Sequence, residues 1–388
     1  MLTRSIEKRL REAARQYPVV AVTGPRQSGK TTLVRAVFPK KPYVSLEDFD
    51  RRQMAEADPR SFLAEFPEGA ILDEIQRVPA LLSYLQTLVD EQPDRLRFVL
   101  TGSNQFLLMK GVAQSLAGRI ALLKLLPFTF AECPPGDDIA ERIRLGGYPR
   151  IHDRRLDPFE WHLSYIETYV EKDLKDLIRV ADLGVFRRFL TLLASQCGQL
   201  LNLSALGGAL GISHNTAKAW LAALEQSYLV FTLPPYHRNY GKRIVKTPKV
   251  YFTDTGLACA LLRIRDTDTL RNHLVLGGLF ENLIVAEYYK AGLHATGVSD
   301  LYFWRDHGGH EVDCLLERPD GLHPVEIKLS ATLHPDFFAG LHRFSDLTQT
   351  PPSAATLVYG GQETHRHHGI RAIGWRDVPH AMPVRARG

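Results

Sequence analysis

The stretch VVAVTGPRQSGKTTLVRAVF, from Val19 to Phe38, decides the fold of the first part of the chain. It begins with a short apolar, β-branched run that ends in glycine, as a buried strand does, and the residues from Lys30 to Phe38 have the spacing of a helix. Between them lies GPRQSGKT, from Gly24 to Thr31, which matches the pattern G-x-x-x-x-G-K-[ST]. This pattern predicts a phosphate-binding loop when it joins a strand to a helix, and that setting is present here.

Each fixed residue of this loop has a chemical task. Gly24 and Gly29 let backbone N–H groups turn inward around a phosphate, and the positive end of the following helix adds to the field there. Lys30 is expected to contact the β- and γ-phosphates of ATP, and Thr31 offers a hydroxyl to Mg²⁺. The alternative is a surface glycine turn with an exposed lysine. The predicted nucleotide-binding residues are Gly24, Pro25, Arg26, Gln27, Ser28, Gly29, Lys30, Thr31 and Thr32.

Two acidic residues end a second apolar run, Gly69-Ala70-Ile71-Leu72-Asp73-Glu74. They lie at the carboxyl end of a predicted parallel strand, which is the end where α/β sheets bind ligands. We therefore expect Asp73 to hold Mg²⁺ through water and Glu74 to orient and deprotonate the attacking water. Taken alone, the pair could equally be a solvated turn.

A third apolar run begins at Arg97 and ends in the small polar residues Thr101-Gly102-Ser103-Asn104. Ser103 and Asn104 are candidates for sensing the γ-phosphate or the attacking water. Serine and asparagine are also favoured at helix N-caps for purely local reasons, so both interpretations stay open.

Composition limits the class of protein. The chain has 388 residues, 45% of them hydrophobic and 23% charged, which fits two or three folded domains and excludes a wholly disordered or collagen-like chain. No run approaches the roughly 18 apolar residues that span a bilayer, and the first residues are charged where a signal peptide is apolar. We therefore expect a cytoplasmic protein without a membrane partner. The formal charge of +5 permits an acidic partner such as nucleic acid without requiring one.

These motifs resemble those of the bacterial and archaeal AAA-type ATPases that carry a second domain of unknown function, DUF4143. The matching segments are GPRQSGKTT, AILDEIQ, VLTGSN and SLAGR, the last before a strand that ends in LLPFTFAE. The resemblance covers nearly all of the chain and implies ATP and Mg²⁺ as ligands. It also makes Arg119, at the end of SLAGR, similar to the arginine that contacts the γ-phosphate from the same or a neighbouring subunit, which would require a homo-oligomer in the second case. Without the resemblance, Arg119 would be an ordinary surface residue.

The middle of the chain begins with helical spacing from about Asp157 to Ala194, which predicts a helical connector. Its aromatic residues recur every three or four positions. We therefore expect core packing, and not ligand binding, for Trp161, Tyr165 and Tyr169.

A helix-turn-helix is predicted within the stretch from Leu203 to Val230. Ser204 can cap a short helix, Gly211 can end it, and Ser213 can cap a second helix from His214 to Glu225. Four apolar residues share one face of this second helix: Ala217, Trp220, Leu221 and Leu224. The outward residues that could reach a DNA groove are His214, Asn215 and Lys218.

A basic segment follows this helix-turn-helix, flanked by predicted strands at Tyr228 to Leu233 and Lys249 to Thr253. No acidic residue occurs from Gln226 to Thr253, and this charge pattern suits the phosphates of DNA. A helix-turn-helix followed by such strands resembles a winged helix, which also serves in protein interaction or packing, and a basic hairpin can simply face the acidic nucleotide-binding region. The DUF4143 family also has a segment similar to that from Arg243 to Leu262, which implies that part of the basic run is structural. The five basic residues are Arg238, Lys242, Arg243, Lys246 and Lys249.

The last third begins with a predicted amphipathic helix, Gly277 to Tyr289, that carries Glu281 and Glu287. A strand at Leu301 to Trp304 follows, and then the runs EVDCLLE and PVEIKLS around the turn RPDG. Pro-Asp-Gly between two apolar runs predicts a β-hairpin.

Asp313, Glu326 and Lys328 form the D…E-x-K pattern of PD-(D/E)xK nucleases, which the DUF4143 region resembles. Two carboxylates can hold Mg²⁺ or Mn²⁺ beside a scissile phosphate, and a lysine can polarise the attacking water. The resemblance makes Glu281 the helix-borne acid that supplements this second metal site. The name PD-(D/E)xK has a proline before the aspartate, whereas this chain has Val312 before Asp313. The competing hypothesis is a salt-bridged core inherited from a nuclease fold.

Two remaining features of the last third concern histidines and the carboxyl-terminal tail. His365, His367 and His368 could chelate a metal, but a flexible histidine-rich loop is the favoured interpretation. The residues from Val384 to Gly388 are expected to be disordered.

The predicted fold class is α/β: a P-loop parallel sheet of AAA type with helices on both faces, then a winged helix and a restriction-endonuclease-like α/β domain. The predicted domain limits are 1–150, 151–184 for the connector, 185–265 and 266–388. The predicted chemistry is ATP hydrolysis, with Lys30 and Mg²⁺ stabilising charge and Glu74 as the general base. In one hypothesis ATP drives engagement of DNA, which the C-terminal site cleaves. In the other, the protein is a nucleotide-controlled switch with an inert nuclease-like domain that binds a partner.

Overall fold

The computed structural model describes residues 3–92, 97–103, 115–134, 136, 138–170, 182–236 and 247–381. Contacts divide the chain into two units. Unit 1 consists of Met1–Phe128, Gln226–Tyr228 and Leu293–Gly297, and unit 2 consists of Thr129–Glu225, Leu229–Gly292 and Val298–Gly388. The domain limits proposed from the sequence stay predictions.

Unit 1 is organised by a five-stranded parallel sheet with the strand order β2-β3-β4-β1-β5. The strands are β1 (Val19–Thr23), β2 (Tyr43–Ser45), β3 (Ile71–Asp73), β4 (Phe98–Gly102) and β5 (Ile120–Lys124). The helices are α1 (Glu7–Gln16), α2 (Lys30–Val37), α3 (Phe49–Ala57), α4 (Pro59–Ala64) and α5 (Leu81–Glu91), and a 3-10 turn spans Ile75–Arg77.

Both faces of this sheet are buried, which explains the unbroken apolar runs of its strands. On β1, Val19 and Ala21 pack in a core with side chains of α4 and α5, whereas Val20 and Val22 pack in another core with side chains of α1 and α2. The predicted parallel sheet with helices on both faces is therefore confirmed.

Unit 2 begins with a 3-10 turn at Phe130–Glu132 and a set of helices. They are α6 (Ile139–Leu145), α7 (Pro149–Arg154), α8 (Pro158–Tyr165), which continues into a π-helical turn at Ile166–Val170, and α9 (Leu183–Ser195). The aromatic residues of the predicted connector lie in the core here: Tyr165 and Tyr169 are buried, and Trp161 stacks on Tyr165 with ring centroids 5.2 Å apart.

Two further helices and a two-stranded antiparallel sheet follow. They are α10 (Leu203–Leu210), α11 (His214–Gln226), β6 (Val230–Leu233) and β7 (Lys249–Phe252). Gly211 ends α10 in the left-handed conformation, as predicted, but Asn202 caps it instead of Ser204 because its side chain accepts the N–H of Ala205 at 3.0 Å. Ser213 accepts the N–H of Thr216, as a cap of α11 does.

The last part of the chain contains three helices and then a mixed six-stranded sheet with the order β12-β13-β11-β10-β9-β8. The helices are α12 (Thr255–Leu261), α13 (Thr267–Arg271) and α14 (Leu276–Thr296). The strands are β8 (Leu301–Arg305), β9 (Glu311–Arg318), β10 (Gly321–Lys328), β11 (Thr356–Tyr359), β12 (His365–His367) and β13 (Ile370–Gly374). Two helices, α15 (Ala339–Thr348) and α16 (Val378–Ala381), and 3-10 turns at Pro335–Phe338, Pro352–Ala354 and Trp375–Asp377 complete the unit.

The hairpin predicted at RPDG joins β9 and β10, where Arg318 pairs with Gly321. The prediction of an amphipathic α14 is wrong. From Leu279 to His294 this helix is buried on nearly all sides, and it carries Glu287 into the core with 2% of its surface exposed. A helix that is apolar all round is a buried helix, and the two acids on it do not mark a solvated face.

Candidate functional site

The loop between β1 and α2 has its backbone conformation set by two glycines. Gly24 has φ +150° and Gly29 has φ +91°, in the region that favours glycine. A Cβ atom on Gly24 would lie 2.0 Å from the carbonyl oxygen of Leu125, so no side chain fits there. The loop therefore presents the amino terminus of α2 at the carboxyl end of β1, where an anion is favoured.

Lys30 begins α2 and is buried, with 5% of its surface exposed. Its Nζ donates to the carbonyl oxygens of Gly24 at 3.0 Å and Pro25 at 2.9 Å, so the ammonium lies against the loop. Burial lowers the pKa of Lys30 to about 8, although Glu74 and Asp73 attract the charged form. Lys30 is therefore not the exposed lysine of the alternative interpretation.

Asp73, at the end of β3, accepts hydrogen bonds from three hydroxyl groups. Thr31 Oγ1 lies 3.1 Å from each carboxylate oxygen, the hydroxyl of Tyr43 donates to Oδ2 at 2.7 Å, and Thr101 donates to Oδ1. The two residues predicted to serve Mg²⁺, Thr31 and Asp73, are thus neighbours. Sequence reasoning missed Tyr43, since a lone hydroxyl residue in a strand carries no local signal, and it named Thr101 only as part of the small polar run that ends the third strand.

Glu74 follows β3 in the left-handed conformation, with φ 57° and ψ 46°. A non-glycine residue held in this region is uncommon and typical of functional sites. Ser103 Oγ donates to its Oε2 at 2.9 Å, and Gln76 Nε2 donates to the same oxygen. The predicted base and one predicted sensor are therefore in contact. Asn104, the other predicted sensor, lies outside the described residues.

The remaining loop residues differ in exposure. Ser28 is fully buried, and its Oγ has no hydrogen-bond partner among the described residues. Gln27, with φ 64°, and Thr32 are exposed, whereas Arg26 is half-buried. Behind the loop, the buried Arg4 donates to the carbonyl oxygens of Ser28 and Leu126, each at 2.7 Å. Sequence reasoning missed Arg4 because it belongs to a uniformly charged amino-terminal segment.

Arg119 is not brought to this loop within one chain. It immediately precedes β5, whose first residue Ile120 pairs with Val19 at the start of β1, whereas the loop begins after Thr23 at the other end of that strand. Its guanidinium pairs with the carboxylate of Asp90, with Nη2 and Oδ2 2.8 Å apart. Arg119 was expected to contact the γ-phosphate either in its own subunit or in a neighbouring one. The strand register rules out contact within its own subunit, because Arg119 lies at the opposite end of the sheet from the loop.

The residues of unit 1 fit a nucleoside triphosphate with Mg²⁺. A helix amino terminus and a buried lysine converge on one loop, and a hydroxyl and a carboxylate suited to a hydrated Mg²⁺ lie beside it. The uncommitted Oγ of the buried Ser28 points to a further polar partner for this loop.

A second group of charged residues lies in unit 2, where all four residues predicted for a nuclease site are interconnected. Asp313 on β9 accepts the N–H of Ile327 at 2.8 Å, and Lys328 on β10 pairs with Glu326 and lies 4.0 Å from Asp313. Glu281 on α14 is linked to Asp313 through an ammonium that both contact, that of Lys249. Burial and the nearby charge of Asp313 raise the pKa of Glu281 to about 7.

Lys249, on β7, contacts this group. Its Nζ lies 2.9 Å from Glu281 and 3.7 Å from Asp313, and it also pairs with Glu311. Burial lowers the pKa of Lys249, but the attraction of these carboxylates outweighs burial and the pKa is raised. The sequence had placed Lys249 in a basic segment facing DNA. That placement is wrong, since only 3% of its surface is exposed and its charge is neutralised within the protein.

The other parts of the predicted DNA surface have mixed outcomes. On α11 the apolar face is buried as predicted, and His214, Asn215 and Lys218 are exposed. The remaining basic residues of the segment lie outside the described residues: Arg238, Lys242, Arg243 and Lys246.

The predicted histidine cluster lies on and beside the edge strand β12, where the ring of His367 is 4.5 Å from that of Phe338. In the part of the chain that the structure describes, no three His, Cys, Asp or Glu side chains are placed to hold a metal ion together. Val384 to Gly388 are not among the described residues. Within the described ranges, no helix combines the length and apolar character needed to cross a bilayer.

Three family comparisons cover most of the chain. The AAA domain family matches residues 16–133, a domain of unknown function (DUF8612) matches residues 136–268, and a domain of unknown function (DUF4143) matches residues 276–378. The solved structures similar to the chain include a Walker-type ATPase of Pyrococcus abyssi, at 19% identity and a TM-score of 0.43 over 67% of this chain and 96% of that one. They also include a RuvB variant of Thermotoga maritima, at 21% identity and a TM-score of 0.30 over 60% of this chain and 90% of that one.

Relatives by sequence include the uncharacterized protein Rv2008c of Mycobacterium tuberculosis, which is 35% identical over 336 residues, 85% of this chain and 74% of the relative. The same values hold for the uncharacterized protein Mb2031c of Mycobacterium bovis. An uncharacterized protein of Haemophilus influenzae is 27% identical over 275 residues, 62% of this chain and 68% of that protein. The chain therefore belongs to the family of these mycobacterial proteins, as an AAA-type P-loop ATPase with a C-terminal DUF4143 domain.

Proposed function

We propose that unit 1 binds ATP with Mg²⁺ and hydrolyses it at the carboxyl end of the parallel sheet. The observation that carries this proposal is the meeting of Lys30, the phosphate loop and the Thr31–Asp73 pair at one end of β1 and β3. Bound Mg²⁺ would neutralise charge on the phosphate oxygens, and Thr31 and Asp73 would hold it. A cytoplasmic location stays a prediction.

In the proposed reaction, the ammonium of Lys30 and the amino terminus of α2 stabilise the charge on the phosphates. The carboxylate of Glu74 accepts the proton of the water that attacks the γ-phosphorus, and ADP leaves. Ser103 and Gln76 hold Oε2 of that carboxylate, and Oε1, which has no hydrogen bond within the described residues, would orient the water. Arg119 would serve only from a neighbouring subunit, which makes a homo-oligomer part of the proposal.

Two variants test this site. Lys30→Ala is expected to abolish ATP binding in calorimetry, because it removes the positive charge at the β- and γ-phosphates. Glu74→Gln is expected to bind ATP and to lower turnover by about 10²-fold or more, as removal of a general base does.

Exposed neighbours supply matched controls for both variants. Lys40→Ala and Glu68→Gln change the same residue types on the surface of unit 1 and should leave binding and turnover unchanged. Thermal unfolding shows whether each variant is folded. Unchanged ATP affinity in a folded Lys30→Ala protein would refute the proposal, and unchanged turnover in Glu74→Gln would assign the base elsewhere.

We further propose that α9 to β7 form a winged helix that contacts DNA through α11. In support of this, three helices precede a two-stranded antiparallel sheet, and His214, Asn215 and Lys218 are exposed on α11. Because Lys249 is buried, it cannot contribute a positive charge to a DNA-binding surface. The proposed contact with DNA therefore rests on α11 and on the basic residues outside the described ranges.

For the C-terminal domain, the ion pairs of Lys249 favour the non-cleaving hypothesis. A nuclease of the D…E-x-K type needs its carboxylates for a metal ion. Here Glu281 and Asp313 are shared with a buried ammonium. We therefore propose a nucleotide-controlled switch whose C-terminal domain binds a partner and cuts no nucleic acid while Lys249 is in place. Measuring metal binding by variants of Lys249 tests whether this lysine keeps a metal ion from the carboxylates.

A further inference from the structure

The carboxylate cluster of unit 2 contains more acids than bases. Its acids come from α14, β9 and β10, and its bases come from β7, β8 and β10. The four acidic members are Glu281, Glu311, Asp313 and Glu326, and the three bases are Lys249, Lys328 and Arg305, which lies 3.6 Å from Glu311. Lys249 alone contacts three of these acids, so its loss leaves Glu281, Glu311 and Asp313 without the cation that they share.

The two lysines contact different atoms of Asp313. Lys249 Nζ lies 3.7 Å from Oδ1, whereas Lys328 Nζ lies 4.0 Å from Oδ2. Lys328 is the lysine of the D…E-x-K pattern, and a third of its side chain is exposed. Lys249 has no counterpart in that pattern, comes from β7, and has a side chain that is 4% exposed. It is therefore an additional cation in the interior of the cluster.

Glu326 supplies an independent sign that the cluster accepts a cation. Its side chain is 8% exposed, and one oxygen pairs with Lys328. The other oxygen, Oε2, is buried and has no hydrogen-bond partner among the described residues. A buried acceptor without a partner costs about 1–3 kcal/mol, so natural proteins rarely retain one without a ligand or a function.

We propose that Lys249 occupies the cation position of this cluster, and that a divalent cation, Mg²⁺ or Mn²⁺, takes that position when Lys249 leaves it or is removed. The carboxylates of Glu281, Glu311 and Asp313 converge on one ammonium within 3.7 Å. Oxygen ligands hold Mg²⁺ at about 2.0–2.1 Å, so small side-chain movements bring them into range.

The inference is independent of ATP hydrolysis, since its test contains no nucleotide.

The test measures Mn²⁺ binding to the full chain by electron paramagnetic resonance, in which bound Mn²⁺ loses the signal of the free ion. We expect Lys249→Met to bind one Mn²⁺ per chain more than the wild-type protein. Methionine keeps much of the lysine stem and removes only the charge. Adding Asp313→Asn to Lys249→Met should abolish the extra site, because it removes a shared ligand.

Lys328→Met is the matched control. It removes the same charge from the same cluster but keeps Lys249, so it should bind no more Mn²⁺ than the wild-type protein does. Equal extra binding by Lys328→Met would mean that net charge, and not the position of Lys249, controls the site. That outcome would overturn the proposal.

Removal of a buried cation can prevent folding. The double variant Lys249→Met/Glu281→Gln removes one charge of each sign and keeps Glu311, Asp313 and Glu326 as ligands. We expect it to fold and to bind the extra Mn²⁺. A folded Lys249→Met or double variant without extra Mn²⁺ overturns the proposal, and so does the failure of both to refold in millimolar Mn²⁺.

Discussion

At the scale of single residues, Asp73 shows how the side chains of the candidate nucleotide site hold one another in place. Its carboxylate accepts bonds from Thr31, Tyr43 and Thr101. Burial and the bond to Asp73 raise the pKa of Tyr43 to about 12, so its hydroxyl keeps its proton at neutral pH. Tyr43 therefore acts as a constant donor that fixes Oδ2 of Asp73, and it is a positioning residue because it acts through that carboxylate.

Replacement of Tyr43 by Phe tests this role. The variant loses one hydrogen bond to a charged group, worth about 1.5–3 kcal/mol, and Thr31 and Thr101 still hold the carboxylate. We expect the Mg²⁺ concentration for half-maximal ATPase activity to rise about tenfold, with little change in the maximal rate at saturating Mg²⁺. Tyr17→Phe, at an exposed tyrosine of unit 1, is the control. An unchanged Mg²⁺ requirement would mean that Tyr43 is only structural.

At the scale of elements, the features that the sequence predicted correctly are those whose residues lie close together in the chain. The loop from Gly24 to Thr31 lies between a strand and a helix that adjoin it in the chain, so its pattern predicted its setting. The hairpin of β9 and β10 was predictable for the same reason. The burial of Lys249 was not predictable, because the acids that neutralise its charge, such as Glu281 and Asp313, are far away in sequence.

The same limit explains part of the error on α14. A carboxylate inside an apolar run often marks the solvated side of a helix. Here, however, the four successive apolar residues from Leu283 to Ala286 cover the whole circumference of the helix, and this local sign of burial was not used. The partners of Glu281 and Glu287 come from other elements: Lys249 on β7 for one, and the backbone N–H of Phe130 for the other. The identity of these residues was evident from the sequence, and their burial depended on tertiary contacts.

The helix α11 is the element on which the proposed contact with DNA rests. Lys218 lies on its exposed face and can contact one phosphate. If it does, Lys218→Ala should weaken binding to all DNA sequences alike and reduce the slope of log K against log salt by about 1. Fluorescence anisotropy with a labelled duplex at several salt concentrations measures this slope. The control is Lys8→Ala, a lysine of α1 with 70% of its side chain exposed; a slope that Lys218→Ala leaves unchanged argues against DNA contact through α11.

At the scale of the whole molecule, buried acids make stability depend on pH. Glu287 is buried, and its Oε1 accepts the N–H of Phe130 at 2.9 Å. Burial raises its pKa from 4.5 to about 7, although Lys290 attracts the charged form. Between about pH 4.5 and pH 7 the folded chain binds more protons at this site than the unfolded chain does. The contribution of this group to stability therefore falls as pH rises through that window, by about 3 kcal/mol in total.

Glu287→Gln removes this dependence, because the amide keeps an oxygen to accept the N–H of Phe130 and has no charge to bury. Relative to the wild-type protein, the variant should gain about 3 kcal/mol in free energy of unfolding at pH 8 and less than about 1 kcal/mol at pH 5. Urea denaturation at the two pH values measures both differences. Glu160→Gln, at an exposed acid of α8, should change stability little at either pH. If Glu287→Gln gains as much at pH 5 as at pH 8, the gain comes from packing, and Glu287 is ionised in the folded protein at both pH values.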